Sequence, residues 1–333
     1  MSTGFTRNEI AVLTRIRSRF LDATNVGGGY WKDDEELALY DDTFAQRIGW
    51  KWEAVLRELA ARDWQPRSTR VLDFGCGSGV ASRRVLGAFR GIREVAHTDV
   101  SSAAVHFATR RQREEFPSIP SVPFDKNHPL PPGTMLVVSH VLNELPPQAH
   151  RQLMQLAEQA EEILWVEAGT HTDSRSLIAV REALREKFSV VAPCPHAMPC
   201  GMLAAENAAH WCHFFTPFPS HAAQDARWSQ LGRELNIDLR ALPYSFLVMQ
   251  KHPHVLAEAS RFIGTPVEKK GHFELLTCSA DGVKEVAAQK RDVPELFKAL
   301  RKRAIAPSYD VTVESGKVVT AIPTQEPSSE PES

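Results

Sequence analysis

The stretch RVLDFGCGSGVASRRVLGAF, residues 70–89, constrains this chain more than any other. Its apolar, β-branched start reads as a short strand, glycines then break it, and the continuation has helical spacing. A strand that turns into a helix through glycines brings free backbone N–H groups of the helix N-terminus to the strand's carboxyl end. EVAHTDVS repeats the strand signal and SAAVHFATRRQREEF the helical one. MLVVSHVLNEL and EILWVEAG are further strand-length runs, separated by the helix PQAHRQLMQLAEQAEE, and a short strand is also expected near SVPFD. Strands alternating with helices over roughly 100 residues imply an α/β fold built on a parallel, doubly wound sheet.

Residues 5–25 and 33–63 read as helices flanking the glycine turn NVGGGYW. Beyond the sheet, SRSLIAVREALREKF and WSQLGRELN read as helices, and YSFLVMQK and HFELLTCS as late strands. The expected organisation is an N-terminal helical region (1–65), a core (66–190), a Cys-rich insertion after the fifth strand (191–243), late strands that complete the sheet together with a basic segment (244–305), and a C-terminal extension (306–333). Its tail, TQEPSSEPES, has a disordered composition. The 333 residues are 43% hydrophobic and 24% charged with a formal net charge of −2, as in an ordinary soluble globular protein. No apolar run approaches the roughly 20 residues that cross a bilayer. The N-terminus lacks the apolar core of a secretory signal, and Glu9 favours an ordinary first helix over a mitochondrial presequence.

Asp73 ends the first strand, ahead of Gly75, Gly77 and Gly79, and Asp99 ends the second, where an acidic side chain suits a ribose diol. The run VLDFGCGSG resembles motif I of the class I S-adenosylmethionine-dependent methyltransferases. That resemblance implies a Rossmann-like methyltransferase sheet, with the three glycines beside the methionine part of the cofactor and Asp99 on the ribose hydroxyls. Asp73 and Ser139 join them as cofactor-binding residues, and Asp125 as an adenine contact. Ser139-His140-Val141-Leu142-Asn143-Glu144-Leu145 stands where such enzymes face cofactor and substrate. The Asn/Asp-Pro-Pro-aromatic loop that holds a base's amino group is missing. His140 and Glu144 are the candidate general bases; the competing reading of His140 is a packed residue at the mouth of the site.

Five cysteines in a chain without a secretory signal point to metal or catalysis rather than disulfides. Cys76 fills the glycine turn. Cys194, Cys200 and Cys212 follow a C-x5-C-x11-C spacing, and Cys278 sits on a late strand. Four thiolates suit zinc or an iron–sulfur cluster. The paired C-x2-C signal of zinc ribbons is absent, and a proline-stiffened loop (Pro193, Pro195, Pro199) closed by a remote ligand suits a cubane cluster better. His196, His210 and His213 keep zinc with mixed ligands open. The segments MPCG and LLTCS resemble the cysteine motifs of RNA cytosine-5 methyltransferases, but there the two cysteines end adjacent strands, so that covalent mechanism is disfavoured.

The combination of VLDFGCGSG, SHVLNEL, WVEAGT, CPHAMPC, WCHFF and TCSADG is more specific. It resembles the methyltransferase-like family associated with the mitochondrial small ribosomal subunit, which has bacterial members, over about residues 25–305. The resemblance implies a four-iron, four-sulfur (4Fe-4S) cluster on Cys194, Cys200, Cys212 and Cys278. It also implies a role in maturing the small ribosomal subunit through its rRNA, with no membrane partner, in the bacterial cytoplasm or the mitochondrial matrix. A monomer is expected. An active rRNA methyltransferase is the alternative, and a small-molecule methyltransferase with a zinc-bound loop a more distant one. Lys290, Arg291, Lys298, Arg301, Lys302 and Arg303 form one basic group that RNA could meet, and Arg110, Arg111 and Arg113 a second.

Overall fold

The computed structural model describes residues 4–21, 31–256, 258–302 and 304–324. Residues 22–30, which hold most of the glycine turn, Arg303 and the tail from residue 325 lie outside the described residues. Helix α1 (Arg7–Leu21) starts with a capping box: Glu9 N donates to Thr6 Oγ1 at 3.2 Å and Thr6 N to Glu9 Oε2 at 2.6 Å. The single helix expected over residues 33–63 is two, α2 (Asp34–Asp41) and α3 (Phe44–Ala61). The break falls at Thr43, whose hydroxyl donates back to Leu39 O at 2.6 Å while its N–H takes the tighter bond to Tyr40 O.

From Arg70 the expected alternation holds: β1 (Arg70–Phe74), α4 (Val80–Ala88), β2 (Glu94–Thr98), α5 (Ser102–Glu115), β3 (Thr134–Ser139), α6 (Pro147–Gln159), β4 (Glu162–Ala168), α7 (His171–Leu184) and β5 (Ser189–Ala192). Two one-turn 3-10 helices, Gly201–Leu203 and Ala205–Asn207, precede β6 (Phe214–Pro217). Then come α8 (Ser220–Ala223), α9 (Ala226–Glu234), β7 (Ala241–Gln250), β8 (Arg261–Lys269), β9 (His272–Ser279), β10 (Gly282–Gln289), α10 (Pro294–Lys302), β11 (Tyr309–Glu314) and β12 (Lys317–Pro323).

The chain divides into two compact units. The first comprises Met1–Ala54, Pro66–Val166 and Thr216–Leu242. Its strands run parallel in the order β2-β1-β3-β4, with Val71 opposite both Val95 and Met135. The residues Met135–Val138 are wholly buried, the mark of a strand covered on both faces. Glu162, buried at the start of β4, accepts from Arg67 N at 2.8 Å and from the N–H and hydroxyl of Ser68, fixing where β1 begins. No strand forms at SVPFD: Ser121 makes only an isolated bridge to Val95, because the prolines at 120 and 123 have no N–H for a ladder. Leu13 and Ile16 of α1 pack with Tyr40, Phe44, Trp50 and Trp228 in one cluster.

The second unit comprises Val55–Gln65, Glu167–Phe215 and Pro243–Ser333. Here β5 runs antiparallel to β7, so the α/β fold carries a mixed sheet rather than a purely parallel one. β9 and its successors do not complete that sheet, contrary to the sequence expectation; they build a second one, ordered β11-β12-β10-β9-β8. Gly271, Gly282 and Gly316 all have positive φ and close tight turns, so β8 pairs with β9, β9 with β10, and β11 with β12. Residues 309–323 of the expected extension are thereby strands. β12 also runs parallel to β10, and Ser260 and Tyr309 exchange backbone hydrogen bonds of 2.7 and 2.8 Å. That exchange joins the outer strands into a barrel. Gly264, at φ +77, lies within the register shift that bends β8. Phe262, Phe273, Leu275, Val286 and Val318 fill the barrel together with Leu296, Phe297 and Leu300 of α10.

Candidate functional site

In the first unit, Gly75, Gly77 and Gly79 have φ of +68, +51 and +78, a conformation open to glycine and strained for other residues. Crowding adds to this at Gly75, where a Cβ would lie 2.4 Å from Val141 Cγ1, and at Gly79, where it would lie 2.8 Å from Ala108 Cβ. Asp73 is fully buried; its Oδ2 accepts from Ser82 N at 3.3 Å, and Oδ1 has no hydrogen-bond partner among the described residues. Burial pushes its pKa up to about 6. Asp99 accepts from Gly77 N at 3.0 Å and Ser101 N at 2.9 Å, yet burial outweighs these bonds and raises its pKa. The glycine turn is thus tied to the carboxylate that ends β2.

Ser139 accepts from Trp52 Nε1 at 2.9 Å. His140 has φ +56, and its Nε2 stands 3.5 Å from Lys51 Nζ. Burial, Lys51 and Arg47 hold its pKa well below the histidine range, so the imidazole is neutral at pH 7. Glu144 and Asp99 both act electrostatically on the buried phenol of Tyr40, whose pKa is raised first by burial. Asp125 is exposed, accepts from Asn127 N at 2.9 Å and contacts His128 Nδ1 at 2.7 Å. Tyr40, Lys51 and Trp52 were not foreseen as part of this site: they sit in an amphipathic helical pattern that carries no motif.

In the second unit, Cys194, Cys200, Cys212 and Cys278 line one cavity of about 570 Å³, open solvent included. Cys278 arrives from β9 and the others from the segment 193–213. Burial pushes the Cys200 thiol up to about 11 and raises Cys212 and Cys278 further, with the neighbouring cysteines adding to each shift. Without a cation these groups are neutral thiols at pH 7. Two buried arginines line the same cavity. Arg181 donates to His196 O at 3.0 Å and Met198 O at 2.9 Å. Arg261 donates to Pro193 O at 3.2 Å, makes a bidentate pair with Glu58 at 2.6 and 2.8 Å, and lies over the Phe214 ring at 4.1 Å. Arg175 holds the loop through the carbonyls of Met202, Asn207 and His210. No sequence signal separates these arginines from surface ones.

Among the histidines, only His196 lines the cavity: its Nε2 is 3.5 Å from Cys278 Sγ, and its buried Nδ1 has no partner among the described residues. His213 is engaged by Trp211 O and Thr265 Oγ1, and His210 by Glu285. Among the described residues no group of three or more His, Cys, Asp or Glu is set to hold a metal ion. Of the basic groups, Arg110 and Arg111 are spent on ion pairs with Asp34, Asp41 and Glu114. No helix among the described residues is long and apolar enough to cross a membrane.

An α/β unit with a glycine turn beside an acidic strand end, joined in one chain to a thiol-lined cavity, is the architecture to be matched. Solved structures with similar folds include magnesium protoporphyrin IX methyltransferase from Synechocystis PCC 6803 with bound SAM, at 14% identity and TM-score 0.39 over 75% of this chain and 100% of that one. Another is a SAM dependent methyltransferase from Aquifex aeolicus, at 14% identity and TM-score 0.37 over 49% and 92%. A third is precorrin-6y C5,15-methyltransferase from Geobacter metallireducens, at 9% identity and TM-score 0.37 over 59% and 86%. Comparison with curated protein sequences finds no match. The family model described as mitochondrial small ribosomal subunit Rsm22 matches residues 44–306, and the chain belongs to that family.

Proposed function

We propose that this chain acts in assembly of the small ribosomal subunit, as a methyltransferase-fold protein that binds S-adenosylmethionine and carries a 4Fe-4S cluster. The family supports the ribosomal part. The observation that carries the cluster is that Cys278, 66 residues beyond Cys212, lines the same cavity as the three loop thiols. The donor set fits. Four thiols lose protons when they ligate iron, and the buried charges of Arg181 and Arg261 offset the anion that results. A single zinc ion would draw the same thiolates to about 2.3 Å from one centre, so metal analysis separates the two. Bound there, the cluster supplies a cross-link between the loop and β9 and a centre that can exchange one electron. The chain's own residues carry the rest: Arg175 and Arg181 hold the loop carbonyls, and Ser245 holds Cys212 O at 2.9 Å.

For S-adenosylmethionine, the turn of Gly75, Gly77 and Gly79 takes the methionine part, Asp99 binds the ribose hydroxyls, and Asp73 and Ser139 complete the cradle; the tie between the turn and Asp99 supports this reading. Asp125 approaches the adenine from its exposed turn. Methyl transfer to rRNA is the second reading. A neutral His140 beside Lys51 has no carboxylate partner among the described residues to strengthen it as a base, and Glu144 remains the other candidate. Anaerobic purification with an absorption spectrum and iron and sulfide analysis tests the cluster. Cys212→Ser should bleach a brown protein, and a colourless, zinc-replete, equally stable chain would refute it. Cosedimentation with small subunits tests the ribosomal role. Methylation mapping of rRNA from a deletion strain tests the second reading, which fails if every methyl group persists.

A further inference from the structure

The strands β8 to β12 form a meander of three, then α10, then a hairpin whose second strand runs parallel to β10. The paired Ser260 and Tyr309 join the first strand to the fourth. A five-stranded barrel connected this way is an oligonucleotide-binding fold, which takes its ligand across the second and third strands, between the first and last hairpin turns. In this chain those turns are Lys270–Gly271 and Ser315–Gly316. We propose that this end of the barrel binds the phosphate backbone of single-stranded RNA.

The opposite half of the same face is already covered. Leu276, Cys278, Ile263 and Val283 pack against Met202, and a Cβ on Gly201 would lie 2.7 Å from Val283 N. Two backbone bonds gather both turns at the open half: Lys290 N to Gly271 O at 3.1 Å and Ala287 N to Gly316 O at 2.9 Å. Lys270, Lys290 and Lys317 are exposed there and make no ion pair among the described residues. The acidic residues on this face are occupied: Glu274 by Lys269 at 3.5 Å and His272 at 3.7 Å, and Glu285 by His210 at 3.0 Å. Glu314, beside the second turn, is exposed. Strand alternation points His272, Glu274, Glu285, Ala287 and Gln289 away from the barrel core. None of these is Phe, Tyr or Trp, so base stacking is confined to His272 and binding rests on charge.

The choice of RNA rests on the ribosomal reading above; the site itself does not. The test uses the full chain and a fluorescein-labelled oligouridylate, with binding followed by anisotropy from 0.1 to 1 M salt. Three lost phosphate contacts at about 0.7 each in slope make Lys270→Ala/Lys290→Ala/Lys317→Ala about 100-fold weaker at 0.1 M salt, converging on the parent near 1 M. A charge-matched control, Arg67→Ala/Arg90→Ala/Lys284→Ala, should bind as the parent does, and both variants should keep the parent's unfolding temperature. Equal binding by the lysine variant and the parent, or an equal loss in the control, overturns the proposal. Failure of the parent to cosediment with small subunits while the lysine effect persists overturns the ribosomal reading and leaves the barrel site standing.

Discussion

Replacing Glu58 by glutamine keeps the side chain's shape and removes one charge from the wall of the thiol-lined cavity. Glu58 is buried and holds Arg261 through two bonds of 2.6 and 2.8 Å and Arg62 through two of 2.9 and 3.2 Å. Burial alone would push the Glu58 pKa up; the Arg261 charge, with Arg62, reverses this and holds it below the carboxylate range. The pair's contribution is therefore complete at neutral pH and is lost only as pH falls below about 4.5 through that lowered value. In Glu58→Gln a buried guanidinium loses its counter-charge and one of two acceptor oxygens, keeping a neutral amide oxygen, Pro193 O and the Phe214 and Phe246 rings. Breaking one side of a buried pair costs about 3–5 kcal/mol. Hydrogen exchange read by mass spectrometry on peptides covering residues 55–65 and 261–269 should then quicken about 10²- to 10⁴-fold at pH 7. The double variant Glu58→Met/Arg261→Met removes both charges and should regain most of that protection. Exchange within threefold of the parent in Glu58→Gln, or a double variant as fast as the single, would refute the reasoning.

Three further outcomes are expected. Asp73→Asn should stabilise the cofactor-free chain by about 3 kcal/mol above pH 6, because the folded carboxyl titrates near 6 and the unfolded near 3.8; urea titrations should show the gain vanish below pH 4. Gly75→Ala should lose about 2–4 kcal/mol, from a left-handed φ and a Cβ 2.4 Å from Val141 Cγ1, and Val141→Ala should restore only the steric part, as read from thermal unfolding. Asp99→Ala should abolish S-adenosylmethionine binding in calorimetry while circular dichroism stays unchanged; undiminished binding would remove Asp99 from the cradle.

The first unit was readable because its signals are local. A run such as MLVVS is strand-like on its own, and glycines between an apolar run and a helical one demand a turn wherever the chain folds. Other elements depended on distant partners. The helix break at Thr43 comes from one hydroxyl, and nothing in the composition of residues 33–63 announces it. The barrel was only half visible: HFELLTCS stands out, but RFIGTPVEK carries a glycine and a proline that disguise a bent strand. Its closure depends on Ser260 meeting Tyr309, 49 residues away. The four thiols could be grouped from their scarcity. The two arginines beside them could not, since burial belongs to the folded chain and not to a spacing.

The origin of Cys278 on a barrel strand has a consequence for synthesis. A ribosome adding about 5–20 residues per second exposes Cys212 roughly 3–13 s before Cys278 emerges. Throughout that interval the nascent chain carries three of the four thiols that line the cavity and lacks the fourth. For the proposed cluster, this means that the fourth ligand arrives only with the C-terminal barrel strand, after the three loop thiols.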